Sequence, residues 1–210
     1  MSDVPVIVPI VEGDGETDSC HVLLPHLAVH VGLRLQFARA LNAHGRHNLL
    51  KARGLERFVH LAALTPRWGS CAKGLAFGLA ERARGLRLSP PVAVVVAVPM
   101  YEAWLLGSLA AIAGKTIKGR PGIPAGTTLD VPSGPEAMPN PKRWLQRHLP
   151  PDRGYHETSD QPAFTAHMDF EATRASCRSF SRLIHALEEL TLEVPSLRRG
   201  WVSPTPNREP

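Results

Sequence analysis

Val4-Pro-Val-Ile-Val-Pro-Ile-Val11 runs directly into Glu12-Gly-Asp-Gly-Glu-Thr-Asp18. The first stretch is apolar and rich in β-branched residues, which predicts a buried strand. The second is a glycine-punctuated turn with an acid at every second position: Glu12, Asp14, Glu16 and Asp18. A strand followed at once by such a turn places these acids at the carboxyl end of the strand. Open α/β sheets bind their ligands at that end. Carboxylates gathered there suit Mg²⁺, which takes oxygen ligands and bridges phosphates. The same pattern also fits a solvated turn that opens a helix, because acids favour a helix N-terminus.

Working outward, a helix is expected from Ser19 to Val31, with Val22, Leu23, Leu27 and Val31 at helical spacing and Pro25 either kinking it or ending its first part. His26 and His30 share a face, but no third ligand accompanies them, and surface histidines are the better reading. Leu33 to Phe37 alternates like a second strand. Leu49 to Leu64 and Ala72 to Leu86 read as two helices joined by the breaker cluster Thr65-Pro-Arg-Trp-Gly-Ser70, with no strand between them. Val92 to Val98 is apolar on both faces, as a central strand of a covered sheet should be. Tyr101-Glu-Ala-Trp-Leu-Leu106 then opens a helix to about Ala113, with Glu102 in its first turn. Glu12, Glu16 and Glu102 should therefore converge at one edge of the sheet.

The region from Gly114 to Pro141 is rich in Gly and Pro and carries Lys115, Lys118 and Arg120; it reads as a long basic loop. A short helix begins at Pro141-Lys142, with proline at the position that suits it. Another covers Asp160 to His167. Phe170 to Leu190 reads as one strong helix whose Arg174, Arg178 and Arg182 stack four apart. That stripe is either a solvated face or a phosphate-binding one. The tail from Ser196 is expected to be disordered.

Composition narrows the function classes. The chain has 210 residues, 43% of them hydrophobic, enough for a sizeable core. No apolar stretch reaches membrane-spanning length. Met-Ser-Asp lacks the basic start of a signal peptide, so a cytoplasmic setting is expected. Cys20, Cys71 and Cys177 are odd in number and far apart, which favours neither a zinc knuckle nor a disulfide framework. A net charge of +5 is compatible with a nucleic-acid partner without demanding one.

Several segments resemble a bacterial Toprim-like family labelled domain of unknown function 4276, related to topoisomerase-primase and OLD-type nuclease domains. They are Val11-Glu-Gly-Asp-Gly-Glu16, Gly54-Leu-Glu-Arg57, Tyr101-Glu-Ala-Trp104, Pro139-Asn-Pro-Lys142, Tyr155-His-Glu-Thr-Ser-Asp-Gln161, Met168-Asp169 and Arg178-Ser-Phe180. The resemblance implies a small, mainly parallel α/β sheet flanked by helices over residues 1–114. A basic loop and helical C-terminal part over residues 115–195 would pack on it, with a tail over residues 196–210. It also implies metal-dependent phosphodiester chemistry, with Glu12 as general acid/base and Glu12, Glu16 and Glu102 as the acids left for Mg²⁺. Lys115, Lys118, Arg120, Lys142, Arg174, Arg178 and Arg182 are the candidates for nucleic-acid contact. By association it implies a defence-like setting and an ATPase partner.

The chain departs from the family pattern at one central point. The Asp-x-Asp metal pair and the strand before it are missing; Thr65-Pro-Arg-Trp-Gly-Ser70 stands there, and Met100 replaces a second acid near Glu102. Arg67 would repel a cation. A degenerate site with weak or absent Mg²⁺ binding is the expectation, and a non-catalytic adaptor is the alternative function.

Overall fold

Residues 6–45 and 97–192, together with residues 4, 47, 48, 51, 93 and 95, are described by this computed structural model. Apart from Lys51, the expected helices over 49–64 and 72–86, their link at 65–70 and the tail from 196 lie outside the described residues.

The opening run forms two short strands, β1 (Val6–Ile7) and β2 (Ile10–Val11), each pairing in parallel with a later one. β1 pairs with β3 (Gln36–Phe37), and β2 with β4 (Leu41–Asn42). The two pairs are separate short sheets with a one-residue shift of register between them, Ile7 facing Phe37 and Ile10 facing Leu41. Pro9, between β1 and β2, has no N–H to donate. The Pro9 carbonyl still accepts from the Leu41 N–H at 2.8 Å. Helix α1 (Asp14–His30) links the two halves in a β-α-β arrangement. It starts five residues before the expected Ser19, so the acidic turn is itself the first helical turn. Its end is a Schellman motif. The Leu33 N–H bonds the Ala28 carbonyl at 2.8 Å, and Gly32 takes the left-handed conformation, φ +72°, that this geometry requires. Pro25 lies within the helix, which continues past it.

The Val92 to Val98 strand does not appear at its described residues: 93, 95 and 97 have no strand pairing. Val95 is nonetheless buried, and Ala93 and Ala97 pack on the core. Apolar content places a segment inside but supplies no paired edge. The expected helix from Tyr101 is split into α2 (Glu102–Gly107) and α3 (Leu109–Ile112). Residues 102–106 are buried all round, as a helix crossing the core must be. The basic loop contains an antiparallel hairpin, β5 (Thr116–Ile117) with β6 (Arg120–Pro121). Its two-residue turn is Lys118-Gly119, both at positive φ, +50° and +75°.

The remaining helices are α4 (Pro141–His148), α5 (Glu157–Thr165), α6 (Phe170–Ser176) and α7 (Arg178–Leu192). The Asn140 side chain caps α4 by accepting from the Arg143 N–H, and Asp169 caps α6 by accepting from the Ala172 N–H. The single helix expected over 170–190 is broken at Cys177, whose backbone is extended. The break is a tertiary effect. The Cys177 Sγ is buried against α2, donating to the Ala103 carbonyl at 3.6 Å. A Cβ added at Gly107 would meet that sulfur at 2.9 Å. Arg174 and Arg178 thus stand on different helices, and the three-arginine stripe is not one helical face.

The core joins all these parts. Leu27, Leu105, Ile112, Leu145, Phe164, Phe180 and Ile184 are fully buried in one cluster. Helices α1 and α5 pack closely at Gly15. A Cβ at Gly15 would lie 3.0 Å from the Glu157 Cβ and 3.2 Å from the Gln161 Oε1, so only glycine allows this approach. The chain is a small α/β protein with seven α-helices and short, mostly parallel strands among the described residues. Among them no helix is long and apolar enough to cross a membrane.

Candidate functional site

The acids at the start of α1 separate by helical geometry. Residues two apart on a helix point about 200° from each other, whereas residues four apart share a face. Asp14 and Asp18 are exposed, and Asp14 accepts from the Asn42 Nδ2 at 2.6 Å. Glu16 turns inward. It is the third residue after the Gly13 cap, so its carboxylate folds back over Gly13 as in a capping box. A Cβ at Gly13 would meet the Glu16 Oε2 at 2.9 Å.

Burial pushes the Glu16 carboxyl above its ordinary value. Its own N–H and that of Gly13 oppose the shift, while the charges of Glu102 and Glu12 add to it. The three predicted acids therefore share one electrostatic neighbourhood. Glu12 is exposed just past β2, and Glu102 is 3% exposed at the start of α2.

Glu102 is held by residues from the far end of the chain. The Tyr155 hydroxyl donates to its Oε1 at 3.1 Å, and the Gln161 Nε2 donates to the same oxygen at 3.3 Å. The Gln161 Oε1 accepts from the Ser19 hydroxyl at 2.7 Å, tying α1, α2 and α5 together. Burial, then the charge of Glu102, drives the Tyr155 phenol far above its usual range, so it stays a donor. Tyr101 is raised by burial too and pairs with the Thr165 hydroxyl at 2.9 Å. Burial, reinforced by Glu16, pushes the Cys20 thiol up to about 12, which removes it as a nucleophile.

This donor set does not fit Mg²⁺. The ion needs near-octahedral oxygens. Among the described residues no group of three or more His, Cys, Asp or Glu is arranged to hold a metal. Instead, one Glu102 oxygen is committed to two protein donors and Glu16 caps its own helix.

The predicted basic residues divide into paired and unpaired. Lys142 forms an ion pair with Glu157, and Arg182 makes a two-pronged pair with Glu189 at 2.8 and 2.9 Å. Arg174 is half-buried and Arg178 is exposed. Lys115, Lys118 and Arg120 are exposed on the hairpin. Lys118 and Arg120 also line a cleft of about 290 Å³, together with Ile117, Arg153, Gly154, His156, Ser159 and Asp160. Beneath it lies a buried pair. The Arg153 Nη2 donates to the Asp160 Oδ1 at 2.5 Å and its Nη1 to the Pro121 carbonyl at 2.8 Å. The Asp160 Oδ2 accepts from the His156 N–H at 3.0 Å.

Sequence reasoning assigned no role to Arg153, Tyr155, Asp160 or Gln161. The block Tyr155 to Gln161 was recognisable as a motif, but its partners are 53 and 59 residues away in the chain.

No curated protein and no solved structure matches the chain. A family described as Domain of unknown function (DUF4276) matches residues 11–188, from the end of β2 into α7. That span includes every residue of the carboxylate cluster and of the cleft, and the chain belongs to this family.

Proposed function

We propose that the chain is a Toprim-like protein of metal-dependent nuclease ancestry that acts on nucleic acid in the cytoplasm with a degenerate active site. One observation supports this reading most: Glu16 feels the charges of both Glu12 and Glu102. Acids brought together from the end of β2 and the start of α2 are the kind of oxygen donors that metal-dependent phosphodiester chemistry uses, which supports the reading. What those acids do here supports the degeneracy. Glu102 is bound by Tyr155 and Gln161, and the Asp-x-Asp pair is absent from the sequence. Metal supplies much of the charge stabilisation in phosphoryl transfer, so its loss costs orders of magnitude in rate.

A non-catalytic adaptor that binds nucleic acid or an ATPase partner, in a bacterial defence setting, is the second reading. The unpaired cations of the hairpin favour it.

The test is a plasmid-nicking assay with Mg²⁺ and with Mn²⁺, beside thermal unfolding at ~10 mM of each ion. A site with a Kd of ~10 mM or weaker stabilises the fold by at most ~0.4 kcal/mol. The expected result is that small shift and no cleavage dependent on Glu12. Binding tighter than ~10 μM with nicking abolished by Glu12→Ala would refute the degenerate site and restore an active nuclease.

A further inference from the structure

The cleft at the hairpin has an unusual charge balance. Lys118, Arg120 and Arg153 line it against a single carboxylate, Asp160. Both Asp160 oxygens are already engaged, by Arg153 and by the His156 N–H. The exposed Lys118 and Arg120 form no ion pair among the described residues, so their charge is left over. Arg153 is 6% exposed and spends two of its five N–H donors on Asp160 and Pro121. A buried guanidinium with donors to spare, two unpaired cations above it and the Ser159 hydroxyl on the wall make a concave, positively charged receptor.

The turn itself is telling. A two-residue turn with both residues at positive φ is normally filled by Asn-Gly or Asp-Gly. Here a lysine holds the first position at φ +50°. An L residue pays about 1–2 kcal/mol there, and such strain gathers at binding sites.

We infer that this cleft binds a phosphate group, held by Lys118 and Arg120 over the Arg153–Asp160 pair. A volume of about 290 Å³ is at the small end for ligand sites, enough for a phosphate group and its nearest neighbours. The inference rests on the proposed nucleic-acid function only for the source of that phosphate: a nucleic-acid backbone or a free phosphorylated molecule.

The experiment titrates the full chain with inorganic pyrophosphate by calorimetry, and with a short single-stranded oligonucleotide by fluorescence anisotropy at several salt concentrations. Lys118→Asn suits the turn and keeps the fold, which a thermal midpoint at or above that of the parent checks. Lys118→Asn and Arg120→Gln should each weaken pyrophosphate binding about tenfold, the scale of one charged hydrogen bond. Each should also reduce the oligonucleotide salt slope by about 0.7. Arg34→Gln, an exposed cation outside the cleft, should change neither. Absence of saturable pyrophosphate binding, or binding that both substitutions leave intact, overturns the cleft. Oligonucleotide binding that survives both substitutions, with pyrophosphate binding lost in them, keeps the cleft as a site for a small phosphorylated molecule and puts the nucleic-acid contact elsewhere. Pyrophosphate binding lost in both variants, with no oligonucleotide binding by the parent, keeps the cleft as a site for a small phosphorylated molecule and refutes the nucleic-acid function.

Discussion

Asp160→Ala is the sharpest perturbation of the fold. Asp160 is 4% exposed and does two jobs: it neutralises Arg153 at 2.5 Å and accepts from the His156 N–H at 3.0 Å. Truncation leaves a guanidinium that is 6% exposed with only the Pro121 carbonyl as partner. Removing one member of a buried ion pair costs about 3–5 kcal/mol, because the other charge stays desolvated. For a domain of this size that lowers the thermal midpoint by on the order of 10 °C. Replacing both members with apolar residues, Arg153→Met with Asp160→Leu, removes both desolvation costs. The double variant should therefore lose far less, about 1 kcal/mol for the orphaned His156 N–H. Urea unfolding of the parent, Arg153→Met, Asp160→Leu and the double variant closes the cycle, with a coupling of about 2 kcal/mol or more expected. A loss below about 1 kcal/mol for Asp160→Ala would refute the reasoning by showing that water reaches Arg153. Additive losses in the double variant would refute it equally.

Two further outcomes follow from the carboxylate cluster and the helix contact beside it. The folded Glu16 carboxyl lies above its ordinary 4.5, so the folded state holds this proton more tightly than the unfolded chain does. Its contribution to stability is full below pH 4.5 and is lost as pH rises through the raised value. Glu16→Gln should flatten that part of the stability–pH profile and be the more stable protein at neutral pH; a profile unchanged by the substitution would show that Glu16 is solvated. Gly15→Ala gains up to about 1 kcal/mol of helix propensity but drives a Cβ to 3.0 Å from Glu157. Overpacking costs about 1–3 kcal/mol, so a net loss near 1 kcal/mol is expected in urea, and a gain would mean that α1 and α5 part easily.

The β-α order of the opening was legible because an apolar β-branched run passes into a glycine-punctuated acidic segment; the division of that run into two strands around Pro9 and the cap at Gly13 were not read from it. The helix was placed five residues late because the same acids also read as a turn. Glu12, Glu16 and Glu102 could be named from sequence since each sits at the edge of an element. Their partners could not. Tyr155 and Gln161 acquire meaning only when α5 meets α1 across Gly15, and no local pattern encodes that meeting. Cys177 interrupts a strong helical periodicity for the sake of a contact with α2, 74 residues away. At residues 93, 95 and 97 the apolar pattern announced burial, and it was taken for pairing. The hairpin hid because lysine is a poor signal for a left-handed turn.

The stretch from Arg153 to Gln161 serves two masters. Arg153 and Asp160 face the cleft, while Tyr155 and Gln161 reach Glu102. A ligand that moves this stretch on binding the cleft would also move the Tyr155 and Gln161 donors on Glu102, and a ligand at the carboxylates would act back on the cleft by the same free energy. The cleft and the carboxylates are thus two ends of one short segment, and a substitution of Arg153 or Asp160 that shifts its backbone displaces the donors to Glu102 as well.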